Sequence, residues 1–263
     1  MISDIATSNE TFPSLRSQPG RLTVVTRFLR HNPLALIGVI IFSFWVFVSL
    51  TAPWIAPYGP LEQDIVNRLQ PPSANHWFGT DQLGRDVFSR VLYGGRLSLP
   101  AGIMVVIVAG IIGTILGALA GFIGGWFEEL TMRLTEVFMA FPTIILAMAI
   151  AAALGPSLIN AIIAMVVVWW PNYARVVRSL VISVKSQEYV EAAQSIGSPG
   201  RRVLWRTVLP NCLAPAVVLA TIDLGNAILV FAGLSFLGLG PEPSSPEWGR
   251  MVADGISYFD QLW

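Results

Sequence analysis

Apolar residues in this chain gather in long uncharged stretches rather than in alternation or in narrow helical stripes. Leu34 to Ala52 is the first, bounded by Arg30 before it and Pro53 after it. Leu97 to Phe127 is the second, and Val137 to Ala174 is a third, also free of charge. Thr207 to Pro241 carries one charged residue, Asp223. A helix needs about 20 mostly apolar residues to cross the hydrocarbon core, so the third stretch suits two short spans. Gly155-Pro156-Ser157 near its middle is turn chemistry. The pattern predicts an all-α polytopic membrane protein with five spans, near 34–52, 97–127, 137–154, 158–174 and 213–232. Around them it sets a tail (1–32), a first span (33–53), an extracytoplasmic segment (54–96) and a bundle core (97–263) with a loop at 185–210.

Composition agrees. Of 263 residues, 54% are hydrophobic and 12% charged, and the mean hydropathy is +0.65. Soluble domains carry roughly 25% charged residues, so this chain lacks the charge to cover a water-facing surface. Nine Trp and fourteen Phe suit the lipid interface. One cysteine, Cys212, makes no disulfide framework, and His31 and His76 are too few for a histidine-rich metal centre. No catalytic constellation is evident. Sixteen basic residues balance sixteen acidic ones, so net charge suggests no nucleic-acid partner.

The basic residues set the orientation. With the N-terminus inside, Arg16, Arg21, Arg27, Arg30, Arg133, Arg175, Arg178, Lys185, Arg201, Arg202 and Arg206 are cytoplasmic, and only Arg68, Arg85, Arg90, Arg96 and Arg250 are outside. The first apolar stretch is too long and starts too late for a cleaved signal peptide. Lys185 is the sole lysine, and Val184 precedes it where a phosphate-cradling G-x-x-x-x-G-K-[ST] loop needs glycine. If ATP drives this protein, a partner must hydrolyse it.

Four elements are candidates for function. Residues 188–211 read as a short helix, a Gly197-Ser198-Pro199-Gly200 break, and a basic amphipathic helix ending before Pro210. Ala192 and Ala193 permit close approach of another surface, and Gly197 permits a left-handed cap. Taken alone, this is a helical loop on the membrane surface. In the second span Gly113, Gly117 and Gly121 recur every fourth residue, with Ala109 on the same face, as close helix packing requires. Asp223, with Asn226 nearly a turn on, is a carboxylate at membrane depth. Such a group either bonds a neighbouring helix or lines a path for substrate. The outside segment His76 to Arg90 alternates Asp81, Arg85, Asp86 and Arg90, which read alone are local ion pairs on a surface helix, each worth little.

Two of these segments carry a resemblance. Glu191-Ala192-Ala193, three residues, Gly197, nine residues, then Thr207-Val208-Leu209-Pro210 resembles the EAA loop of inner-membrane subunits of ABC importers, with Thr207 where that pattern prefers isoleucine. Phe78-Gly79-Thr80-Asp81, Gly84-Arg85-Asp86 and Ser89-Arg90 resemble the F-G-T-D-x-x-G-R-D-x-x-S-R signature of C-type permeases of dipeptide, oligopeptide and nickel importers. Gly121 to Arg133 with Phe141-Pro142, and Leu234 to Gly240 with Trp248-Gly249, are similar to further segments of that subfamily. The matches run from about residue 30 to 251.

The resemblance implies a type I ABC-importer transmembrane fold in a prokaryotic cytoplasmic membrane. It implies that this chain pairs with a second homologous permease, two ATP-binding subunits and an extracytoplasmic substrate-binding protein. Glu191, Ala192, Ala193, Gly197, Leu209 and Pro210 would then couple to the ATPase, with ATP and Mg held by the partners and no cofactor by this chain. Short peptides are the implied substrate, with nickel or another small solute the alternative. Many family members have an acidic residue where Phe231 stands here, so cation handling does not transfer. The family also has a sixth span, whereas the sequence stops at Trp263, and about 20 further residues are expected. A self-sufficient secondary transporter, the rival class, would show several intramembrane charges or inverted repeats. The sequence shows one clear intramembrane carboxylate and no convincing repeat.

Overall fold

The computed structural model describes residues 32–258, so nearly all of the tail predicted over 1–32 lies outside the described residues. Residues up to Trp45 belong to one unit and those from Val46 to a second. Helix α1, Pro33–Ile55, contributes to both. Among the described residues the only β-type pairing is an isolated bridge between Thr80 and Asp86.

The segment after α1 contains one 3-10 turn, Ile65–Asn67, capped by the Asp64 side chain. Helix α2, Val87–Ile123, starts at Asp86, whose carboxylate accepts from the Ser89 amide at 2.7 Å. Its 37 residues span about 55 Å at 1.5 Å each, well beyond a hydrocarbon core of about 30 Å. Its first turns, with Arg90 and Arg96, therefore stand outside the apolar stretch that begins at Leu97. Gly124 ends it at φ 74°.

Helices α3, Gly125–Met139, and α4, Thr143–Leu154, correct the span expected over 137–154. The chain turns through 90° between them at Phe141-Pro142. Proline rejects a helical residue before it and has no amide to donate, so an uncharged run becomes two helices. The twelve residues of α4 cover about 18 Å, less than a full crossing. The turn expected at 155–157 is present. Gly155 takes φ 87°, and Ser157 caps helix α5, Leu158–Lys185, by accepting from the Asn160 amide at 3.0 Å.

Beyond α5 lie α6, Glu188–Ser195, α7, Gly200–Val203, a π turn over Leu204–Val208, α8, Leu209–Phe236, and α9, Trp248–Ile256. Three helical runs among the described residues are long and apolar enough to cross a membrane: Pro33–Ile55, Val87–Ile123 and the continuous Gly200–Phe236. The bent pair α3–α4, taken as one broken span, makes four. The stretch predicted as 158–174 lies in α5, which continues through Arg175 and Arg178 and carries Pro171 and Asn172. Those residues make it less apolar than the other three.

The main core joins Ala101, Val105 and Ala109 of α2, Ala147 of α4, Met165, Trp169 and Tyr173 of α5, and Ala227, Phe231 and Leu234 of α8. Alanines recur because helices in lipid associate by close packing rather than by a hydrophobic drive. A second cluster, described below, lies under α6 and α7.

Candidate functional site

Helix α6 has two unlike sides. Val190 is fully buried, in a cluster with Ala118 of α2, Val177 and Val181 of α5, and Val203, Leu204 and Val208. Glu188, Tyr189, Glu191 and Ala192 are exposed, and Ile196 beyond the helix is 83% exposed. Ala193 is half-buried. The helix closes on Gly197 at φ 84°. The Gly197 amide donates to the Gln194 carbonyl at 2.9 Å and the Ser198 amide to Ala193 at 3.2 Å. That pair of bonds is the Schellman closure, which favours glycine at its left-handed position.

Both ends of this excursion rest on one residue of α2. Lys185 Nζ donates to the Phe122 carbonyl at 2.7 Å and lies 5.3 Å from the Phe122 ring centroid. A Cβ on Gly200 would stand 3.4 Å from the same ring. The ammonium thus satisfies a terminal carbonyl of α2 at the negative end of its dipole. One level away, Arg178 Nε of α5 donates to Glu128 Oε1 of α3 at 2.7 Å. The sequence offered no partner for Lys185 or Arg178. Being the chain's only lysine was the one available signal.

The chain beyond Gly200 corrects one expectation. The helix does not end before Pro210 but runs through it, with Leu209 buried and Pro210 exposed. Proline in a helix clashes with the carbonyl four residues earlier, here that of Arg206. The π turn meets this by widening the helix just before proline, so the Leu209 amide reaches back to Leu204. Asn211 Nδ2 then donates to the Thr207 carbonyl at 2.7 Å.

Inside the bundle, Gly113, Gly117 and Gly121 face α5. A Cβ on Gly113 would meet the Trp170 carbonyl and Tyr173 side chain. One on Gly117 would lie 2.9 Å from the Ala174 Cα, and one on Gly121 would lie 2.8 Å from the Arg178 carbonyl oxygen. Asp223 and Asn226 are placed differently. Asp223 is buried beside Tyr173, and neither Asp223 Oδ2 nor the Tyr173 hydroxyl has a hydrogen-bond partner of standard geometry. Asn226 is exposed, as are Ile222 and Leu229. An amide exposed at this depth would be costly against lipid, so this face of α8 calls for a polar or protein neighbour. Tyr173, absent from the sequence reading, sits in an apolar run that gave no sign of facing a carboxylate.

At the other end of α2 the charged signature forms a buried knot, not a surface helix with weak pairs. Arg85 and Arg90 are 2% and 1% exposed. Arg85 Nε donates to Asp81 at 2.6 Å and an Nη lies 3.7 Å from Asp254 of α9. Arg90 reaches the carbonyls of Pro60 at 3.2 Å, Ser244 at 3.5 Å and Ser245 at 3.4 Å. Burial, then the neighbouring Arg85 charge, pulls the Arg90 guanidinium down to about 10, against Asp81 and Asp254, so it stays charged at neutral pH. His76 Nδ1 meets Asp86 at 2.9 Å. Glu247, fully buried, accepts from Ser98 at 3.0 Å and from the Gly249 and Arg250 amides. Gly84, at φ 72°, has the Asp64 backbone where a Cβ would stand. Arg90→Ala should lower stability by about 3–5 kcal/mol, the usual cost of breaking a buried pair. A thermal unfolding midpoint within a degree of the parent would contradict that.

Residues 113–259 match the family described as binding-protein-dependent transport system inner membrane component. Residues 22–72 match the N-terminal transmembrane domain of oligopeptide transport permease C. The chain is 47% identical over 230 residues to the dipeptide transport system permease protein of Alkalihalophilus pseudofirmus, covering 88% of this chain and 76% of that one. It is 43% identical over 251 residues to the di/tripeptide transport system permease protein of Pseudomonas aeruginosa, covering 93% and 83%. It is 43% identical over 227 residues to the glutathione transport system permease protein of Escherichia coli, covering 86% and 75%.

Proposed function

Because the chain belongs to the family of binding-protein-dependent transport system inner membrane components, we propose that it is the permease subunit of an ATP-driven importer of short peptides. It forms half of the translocation path, a second homologous permease forms the other half, and two ATP-binding subunits close on ATP beneath them. An extracytoplasmic binding protein delivers the peptide. The relatives' transport of dipeptides, tripeptides and glutathione supports a short peptide as cargo.

The observation that carries this reading is α6, exposed on one side and anchored on the other. Its outward side, with Glu191 and Ala192 flanked by Tyr189 and Ile196, is the docking surface for an ATPase subunit. Its inward side, through Val190, bears on α2, α5 and the start of α8. A displacement of α6 by the ATPase therefore passes into three helices of the bundle. ATP moves the machine only through its different affinity for the two states of the complex. The N-terminus is cytoplasmic, and α5 and the α3–α4 pair complete five crossings. The path runs along the face of α8 that bears Ile222, Asn226 and Leu229. Asp223, buried beside Tyr173 of α5, meets the path only when those helices part.

The test is co-purification. Affinity-tagged chain, gently extracted, is expected to bring down one further permease and two copies' worth of ATP-binding subunit. Recovery of the chain alone, with full uptake activity in vesicles, would refute the assembly.

A further inference from the structure

Pro199, Arg201, Arg202, Trp205 and Arg206 line an open groove of about 680 Å³ where α7 meets the π turn. The three arginines are exposed, and none is in an ion pair among the described residues, unlike Arg85, Arg90, Arg133, Arg178 and Arg250. Three unpaired guanidinium groups side by side repel one another and call for an anion. Trp205, 41% exposed, suits the headgroup level of a bilayer.

What the groove is attached to selects the anion. The same helix continues without a break into the apolar span Gly200–Phe236. Its exposed side carries on through Pro210, Leu213 and Val217, the last two 43% and 60% exposed. Leu213 lies about 10 Å beyond Arg206 along the axis, which matches the step from a lipid phosphate to its acyl chains. A soluble phosphate or an acidic protein would engage the arginines alone, whereas a lipid engages the arginines and the adjoining Leu213 and Val217 with one molecule. Guanidinium groups bind phosphate through paired, planar donors.

We propose that this groove is a binding site for an anionic phospholipid of the cytoplasmic leaflet, its phosphate held by Arg201, Arg202 and Arg206 and its chains lying along Leu213 and Val217. The proposal rests on the cytoplasmic placement of residues 185–210 given above. The π turn is what makes the site. It widens the helix at the point where three arginines and a tryptophan must share one groove. Lipid held there braces the base of α8 beside the docking helix.

The experiment is native mass spectrometry of the assembled transporter, offered phosphatidylglycerol and phosphatidylcholine of matched chains. The parent is expected to retain phosphatidylglycerol about tenfold over phosphatidylcholine. The variant Arg201→Gln/Arg202→Gln/Arg206→Gln should fall to near parity, and the corresponding triple Lys variant should keep most of the preference. Arg133→Gln, remote in sequence and already paired with Glu136, should leave it unchanged. An absent preference in the parent, or an unchanged one in the triple Gln variant, overturns the proposal. So does displacement of the lipid by inorganic phosphate alone, which would mark a soluble-anion site. Should the triple Gln variant not assemble, a loss of about twofold in each single Gln variant decides the matter. Orientation is read separately, by labelling Ser198→Cys in a Cys212→Ser background with an impermeant maleimide. Labelling of intact cells would refute the cytoplasmic placement whatever the lipid preference.

Discussion

Gly117→Leu should abolish assembly of the transporter. Helices α2 and α5 cross at this glycine with so little separation that even a Cβ would sit 2.9 Å from the Ala174 Cα and carbonyl carbon. The obstacle is backbone, which cannot rotate aside as a side chain can, so α5 must move away as a whole. Such a shift would open the contacts at Gly113 and Gly121 and disturb Tyr173 in the main core. Overpacking a core by a few methylenes commonly costs about 1–3 kcal/mol, and a forced helix displacement costs more. At least a tenfold drop in recovered complex is expected, with Gly117→Ala intermediate. Gly110→Ala is the control, since a Cβ there meets only the Tyr173 ring at 3.6 Å, an ordinary contact. Normal recovery of Gly117→Leu would show that α2 and α5 do not approach as described.

Glu191→Lys should separate ATP hydrolysis from uptake. Glu191 is exposed on the outward side of α6 and bonded to nothing that holds the bundle together, so its replacement leaves the fold intact. Reversing a charge within a docking surface costs several kcal/mol when the opposing group is of fixed sign. Uptake in proteoliposomes is expected to fall by more than thirtyfold while the chain remains folded in the membrane. Hydrolysis by the ATP-binding subunits should no longer respond to peptide-loaded binding protein. Gly197→Val should act in the same direction more weakly, because a left-handed residue with a Cβ costs about 1–2 kcal/mol. Unchanged uptake in both variants would remove α6 from the transmission of force.

The sequence revealed apolar segments better than it revealed their shape. Long apolar runs coincide with the three helices long and apolar enough to cross a membrane, Pro33–Ile55, Val87–Ile123 and Gly200–Phe236. They hide the break at Phe141-Pro142, because a bent pair and a straight span have the same composition there. Proline was the sign of that break. The same residue type misled at Pro210, where the widened turn at Leu204–Val208 carries the helix through, and no side-chain pattern announces such a turn. The charged run at 76–90 was equally ambiguous. Alternating Asp and Arg look alike on an exposed helix and in a buried knot, and what decides is the carbonyls of Pro60, Ser244 and Ser245, which any sequence would supply. Lys185 is the clearest case, because its acceptor is a main-chain oxygen 63 residues away. The spacing of Gly113, Gly117 and Gly121 is the counterexample. A repeat of small residues reports directly on how near another backbone lies.

The meeting of Lys185 and Gly200 at Phe122 has a consequence for how such proteins diversify. Residues 186–199 leave and rejoin the bundle at one point, so their closure is fixed by contacts outside themselves. The entropy of closing a loop changes only slowly with its length. On the docking proposed for α6, the stretch is an exchangeable cassette: its outer residues can be rewritten to suit a different motor subunit while Lys185, Phe122 and the inward Val190 keep the seat unchanged. Partner choice and membrane architecture can then evolve on separate clocks.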